Sequence, residues 1–134
     1  MKTIYVVREL GGGGSEVMIV PVPCRGTVHS VRVASDLQID ANGTLKVGRG
    51  DVATAANVVN TVTGPAGNTA AGTILDGVKD ADYGDNVFDP DSDTAAYKSM
   101  WIEDDATFLG GEATVVIRIE FDDSAYIEQE ASEA

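Results

Sequence analysis

A chain of 134 residues with 43% hydrophobic content defaults to one domain, large enough to bury roughly two-thirds of the surface its unfolded form exposes. Nine basic residues against 22 acidic ones leave a net charge of -13, which repels phosphate backbones and anionic lipid and argues against nucleic acid and membrane surfaces as direct partners. Aromatic residues make up only 6%, so the core must be built from Val, Ile and Leu on short strands, which favours a β-sandwich over a helical bundle.

The charge is uneven: residues 1–50 carry six Lys/Arg and four Asp/Glu, whereas residues 51–134 carry three and eighteen. A basic partner surface would therefore meet the second half. The single cysteine, Cys24, rules out an intrachain disulfide and a thiolate zinc site, and reads as a small buried apolar residue. No apolar run approaches the roughly 20 residues of a membrane-spanning helix. Met1–Arg8 (MKTIYVVR) has too short an apolar run for a signal peptide, so synthesis in a cytoplasm is expected.

In chain order, Met1–Leu10 is strand-like but is followed by Gly11-Gly12-Gly13-Gly14-Ser15, identical to the unit used in engineered flexible linkers. If that unit were artificial, residues 1–10 would be an appended piece. Because natural loops also use polyglycine, residues 1–15 are expected to be a mobile N-terminal arm with a glycine hinge. The apolar run Val17–Val22 then predicts a strand that Pro21 and Pro23 confine to a sheet edge, since proline has no N–H for the ladder. Gly26–Ser35 alternates, with His29, Val31 and Val33 on one face and Ser30 and Arg32 on the other. Asp40-Ala41-Asn42-Gly43 carries the chemistry of a tight hairpin turn, which makes Thr44–Gly48 the expected partner of that strand.

Asp51–Asn60 reads either as one short helix capped by Asp51, with Val52, Ala55, Ala56 and Val59 on one face, or as a strand; helix is favoured over 51–57 and strand over 58–63. Gly64–Gly72 is small and punctuated, a surface loop, and Thr73–Leu75 a short strand. Residues 76–93 hold seven aspartates with Gly77, Gly84 and Pro90, too polar and broken for a regular element. Strands are expected over Ala96–Glu103 and Ala113–Asp122. In the second, Val115, Ile117, Ile119 and Phe121 alternate with Thr114, Val116, Arg118 and Glu120, the clearest period-two pattern in the chain and the mark of a central core strand. Ser124–Ala134 reads as a solvated tail. The expected architecture is all-β: an antiparallel β-sandwich or jelly-roll-like domain over residues 16–123, with an N-terminal arm (1–15), at most one short helix, and an acidic tail (124–134).

Chemistry-bearing residue types are few. Cys24 and His29 form the only nucleophile–base pair the chain offers, but His29 shares its predicted face with Val31 and Val33 and reads as a half-core histidine. No GxSxG, HExxH, P-loop or GxGxxG motif is present, so no catalytic residue is assigned and an enzyme is not expected. Asp89, Asp91 and Asp93 match the first three ligands of a calcium loop. An EF-hand needs Gly at its sixth place and Glu at its twelfth, where this chain has Thr94 and Met100. The three aspartates stay as candidate Ca2+ ligands of a looser site, against the plainer reading of a solvated acidic loop. Arg49-Gly50-Asp51 spells an integrin-binding tripeptide but reads as a turn. Tyr97, Ser99 and Trp101 share one face of their strand, either a sugar-binding platform or ordinary packing.

Val20–Val33 (VPVPCRGTVHSVRV), the Leu45-Lys46-Val47 strand, the Ala/Thr/Gly-rich middle and the closing Gly111–Phe121 (GEATVVIRIEF) together resemble the head decoration (cement) proteins of tailed phages. The resemblance, over residues 17–122, is of overall pattern rather than a diagnostic motif. It implies a homo-oligomer, typically a trimer, seated on a shell of major capsid protein in the virion. Ile4, Tyr5, Val6 and Val7, β-branched and set apart by the glycines, are the candidate partner-binding residues, able to add a strand to a neighbour's sheet edge. The alternative class is a calcium-dependent carbohydrate-binding or adhesin-type module using residues 76–93.

Overall fold

The structure is a computed structural model that describes residues 2–10, 16–22, 25–35, 43–67, 70–79, 87–91, 93–104 and 113–121. Its strands are β1 (Lys2–Leu10), β2 (Glu16–Pro21), β3 (Gly26–Ser35), β4 (Thr44–Arg49), β5 (Val58–Thr63), β6 (Ile74–Asp76), β7 (Val78–Lys79), β8 (Val87–Phe88), β9 (Ser99–Asp104) and β10 (Ala113–Phe121). One 3-10 turn (Ala55–Asn57) and one helical turn, α1 (Ala95–Lys98), interrupt them. The fold is all-β: two antiparallel sheets, one ordered β1-β10-β3-β6 with β8 also paired to β3, the other ordered β2-β9-β4-β5-β7.

The inner faces of both sheets share one core. Val28, Val31 and Val33 of β3 and Val115, Ile117 and Ile119 of β10 meet Leu45 and Val47 of β4, Val59 and Val62 of β5, and Met100 and Ile102 of β9. The strict alternation of β10 therefore does what a period-two pattern demands, burying every second residue of an interior strand. Nearly all of these side chains are β-branched or Leu, which pack well on a pleated surface, and each removes roughly 1.5–3 kcal/mol worth of apolar surface from water.

Several elements differ from the sequence pattern. Lys2–Leu10 is not a separate arm: β1 pairs with β10 over all nine residues, from Lys2 opposite Phe121 to Leu10 opposite Ala113, and Val6 enters the core. The glycine hinge Gly11–Ser15 and the tail 124–134 lie outside the described residues. The turn signal at 40–43 does not close a hairpin, because β3 and β4 belong to different sheets and β4 pairs with β5 and β9. Turn chemistry encodes a reversal of direction, not which strand is met afterwards. The expected helix at 51–57 shrinks to one 3-10 turn. Asp51 caps nothing there: Thr54 occupies the cap position in extended conformation with no side-chain cap, so the helix start lacks the side-chain acceptor that would favour it. Within 76–93, taken as too polar for regular structure, β7 and β8 form, and Phe88 is fully buried.

The position of His29 has a specific cause. The β3–β10 register shifts between Arg118 and Ile119, which pair with Ser30 and Val28. His29 is the extra residue of a β-bulge, and one extra residue flips the face of everything beyond it. Val28 is therefore buried with Val31 and Val33, while the imidazole is half-exposed, its Nδ1 3.5 Å from Glu120 Oε2.

Candidate functional site

The two flanks of the sandwich are built differently. On one, β6 and β7 are three and two residues long, and Gly77 between them carries the chain from one sheet to the other. The Gly77 N–H donates to the Val31 carbonyl (2.8 Å), and a Cβ at this position would overlap the amide oxygen of Asn60. Only glycine permits so close a crossing. That flank is stitched shut and its edge strands are short, two of the ways in which β-proteins blunt an edge.

The opposite flank is open. β1 and β2 are the terminal strands of their sheets and have no strand partner on their outer side among the described residues. Their outward side chains are apolar: Tyr5 is 62% and Val7 50% exposed on β1, Val17 49% and Ile19 44% on β2. Of the four candidate partner-binding residues, Val6 is core and Ile4 packs against it, leaving the Tyr5 and Val7 side chains and the strand's free edge. Strand alternation enforces that split, which a list of four consecutive residues ignores.

Ile19 rests on a rigid support. In register, Ile19 lies opposite Trp101, which lies opposite Gly48. Trp101 is on the face of β9 away from Met100 and Ile102, yet only 1% exposed. Its indole lies across Gly48, where any Cβ would overlap the ring. Its Nε1–H donates to the Arg49 carbonyl (3.2 Å), and the Arg49 guanidinium stands 5.0 Å above the Tyr97 ring. Trp101 is thus no sugar platform: burial removes its face from any ligand. Gly50 follows with φ 104°, its N–H held by the Ser99 carbonyl (2.9 Å), so Arg49-Gly50-Asp51 is a fixed strand exit.

The candidate calcium ligands do not converge. Asp89 Oδ1 accepts the Asp91 N–H at 3.0 Å, closing a local turn, Asp91 and Asp93 are exposed, and no three His, Cys, Asp or Glu side chains gather as a metal site among the described residues. Cys24 lies outside the described residues, so the expected Cys24–His29 pair has no geometry to report. On the outer face of the β1 sheet, Glu120 instead joins His29 to Arg118, whose Nη2 is 3.2 Å away, and Arg32 Nε binds Asp76 Oδ1 at 2.7 Å. Among the described residues no helix is long and apolar enough to cross a membrane.

Segments 80–86, 89–93 and 122–134 contain eleven Asp/Glu and no Lys or Arg; of these, 80–86 and 122–134 lie outside the described residues. No protein-family model matches the chain, and comparison with curated proteins finds no relative.

Proposed function

We propose that the chain is a non-enzymatic virion protein that decorates the outer surface of a phage shell, binding major capsid protein as a homo-oligomer and stabilising the lattice. The observation that carries this reading is the asymmetry of the edges: β6 and β7 are three and two residues long and joined by Gly77, whereas β1 and β2 present edges of nine and six residues. Apolar side chains are exposed on both flanks, Ile74 and Val78 on the first and Tyr5, Val7, Val17 and Ile19 on the second. Soluble proteins protect long edges unless the edge is used. The net charge of -13 supports the reading, since a strongly charged surface keeps a protein presented at high copy number soluble.

The test is co-sedimentation of the purified protein with shells of its virus assembled without it. Wild type is expected to pellet with the shells, and Val17→Glu/Ile19→Glu, which leaves the core untouched, to stay in the supernatant. Failure of the wild type to pellet would refute the reading.

A further inference from the structure

We infer that β1 is the interface between two copies of this chain, joined edge to edge in an antiparallel, two-fold pair. The inference deepens the reading above by naming the contact within the oligomer, and it leaves Val17 and Ile19 of each copy for the shell.

The two open edges are not equivalent. β2 has six residues and ends at Pro21, which lacks an N–H. Its edge is short and interrupted for strand addition. β1 runs nine residues without proline or glycine, and its register with β10 carries no bulge. Its charges, Lys2, Arg8 and Glu9, sit toward the ends and leave Thr3–Val7 neutral. A long, regular edge with an uncharged centre is a template for another strand.

Symmetry and charge select a second copy as that strand. A two-fold axis perpendicular to the sheet keeps each side chain on its own face, so only residues of equal parity can lie opposite one another. The register that pairs all nine residues centres on Val6. It sets Tyr5 of each copy against Val7 of the other, an aromatic against a β-branched side chain, a favourable cross-strand pair. Arg8 falls opposite Ile4 and Glu9 opposite Thr3, so no like charges are directly opposed. Shifting the register so that Tyr5 meets Tyr5 would bring Lys2 against Arg8.

The test is sedimentation equilibrium of the free, full-length protein with a charge swap. Wild type is expected at twice the chain mass. Tyr5→Lys/Val7→Lys, which opposes lysines at both symmetry-related pairs, is expected to weaken the dimer by at least about tenfold. Tyr5→Lys/Val7→Glu, which opposes lysine to glutamate, is expected to dimerise. Both variants change exposed side chains only, and circular dichroism and melting identify any that fails to fold. A monomeric or trimeric wild type, or a Lys/Lys variant as dimeric as wild type, would overturn the inference. Because no shell is present, these outcomes are independent of whether the protein binds capsids.

Discussion

Replacing Gly48 by alanine adds one methyl group and is expected to be among the most damaging small substitutions in the chain. The added Cβ would overlap the Trp101 indole, and the backbone of an interior strand cannot retreat, since β4 is held by β5 on one side and β9 on the other. The ring must move. Overpacking costs about 1–3 kcal/mol, and losing the bond from the Trp101 Nε1–H to the Arg49 carbonyl adds about 1 kcal/mol, for a total of about 2–4 kcal/mol. In a domain of this size that lowers the melting temperature by roughly 8–16 °C. Urea titration followed by circular dichroism gives the free energy. Emission of the sole tryptophan reports the ring, which should shift to the red as it leaves its 1% exposed position. In a Trp101→Phe background the same substitution should cost about 1 kcal/mol less, because the smaller ring leaves room. A Gly48→Ala protein within about 0.5 kcal/mol of wild type, with unchanged emission, would refute the stacking argument. Since Ile19 occupies the same cross-strand row, the proposed function predicts that this variant also loses shell binding.

Removing residues 1–10 strips β10 of a partner along nine residues and takes Val6 out of the core, so a loss of at least about 3 kcal/mol is expected, read by thermal melting; a truncated protein melting like wild type would show that β1 is dispensable to the fold. Calcium and EDTA should leave the melting temperature unchanged, because Asp89, Asp91 and Asp93 do not converge. A calcium-dependent rise of several degrees would restore the calcium-dependent module. Arg32→Ala breaks an ion pair whose side chains are 63% and 65% exposed and should change stability by less than about 1 kcal/mol, measured by urea titration.

How much was legible depends on whether the information was local. The alternation of residues 113–121 fixes a half-buried strand by itself, residues 58–63 read correctly from β-branched composition, and the short strand expected over 73–75 forms one residue later, over 74–76. The pairing of Lys2 with Phe121 does not, because nothing near either residue names the other. His29 was placed inward by counting in twos from Val33, whereas the spacing of three between Val28 and Val31 was the trace of the bulge. Phe88 was hidden by its aspartates, although Val87-Phe88 is an apolar pair in a polar run. The burial of Trp101 could not be read from its own strand at all: the space it fills is made by Gly48, directly opposite it on the neighbouring strand β4 but far from it in sequence. At the candidate site, composition showed that residues 4–7 are strand-like and apolar, but only the sheet shows which two of the four face outward.

The flank asymmetry follows from the order in which the chain lays down its strands. β1 and β2 are consecutive yet belong to different sheets, so each becomes terminal and the side they share is left without a crossover. β6 and β7 are also consecutive and also change sheets, but a single glycine joins them, which forces both to be short and draws the edges together. The same manoeuvre thus closes one flank with one residue and leaves the other open with five between the strands. An edge of nine residues with an uncharged centre is a hazard in a free monomer, and proline, charge or a bulge would remove it at little cost. The chain uses proline on β2 and short strands at β6 and β7, but leaves β1 regular. Where one edge is protected and its neighbour is not, the unprotected strand is the one we propose to act by pairing.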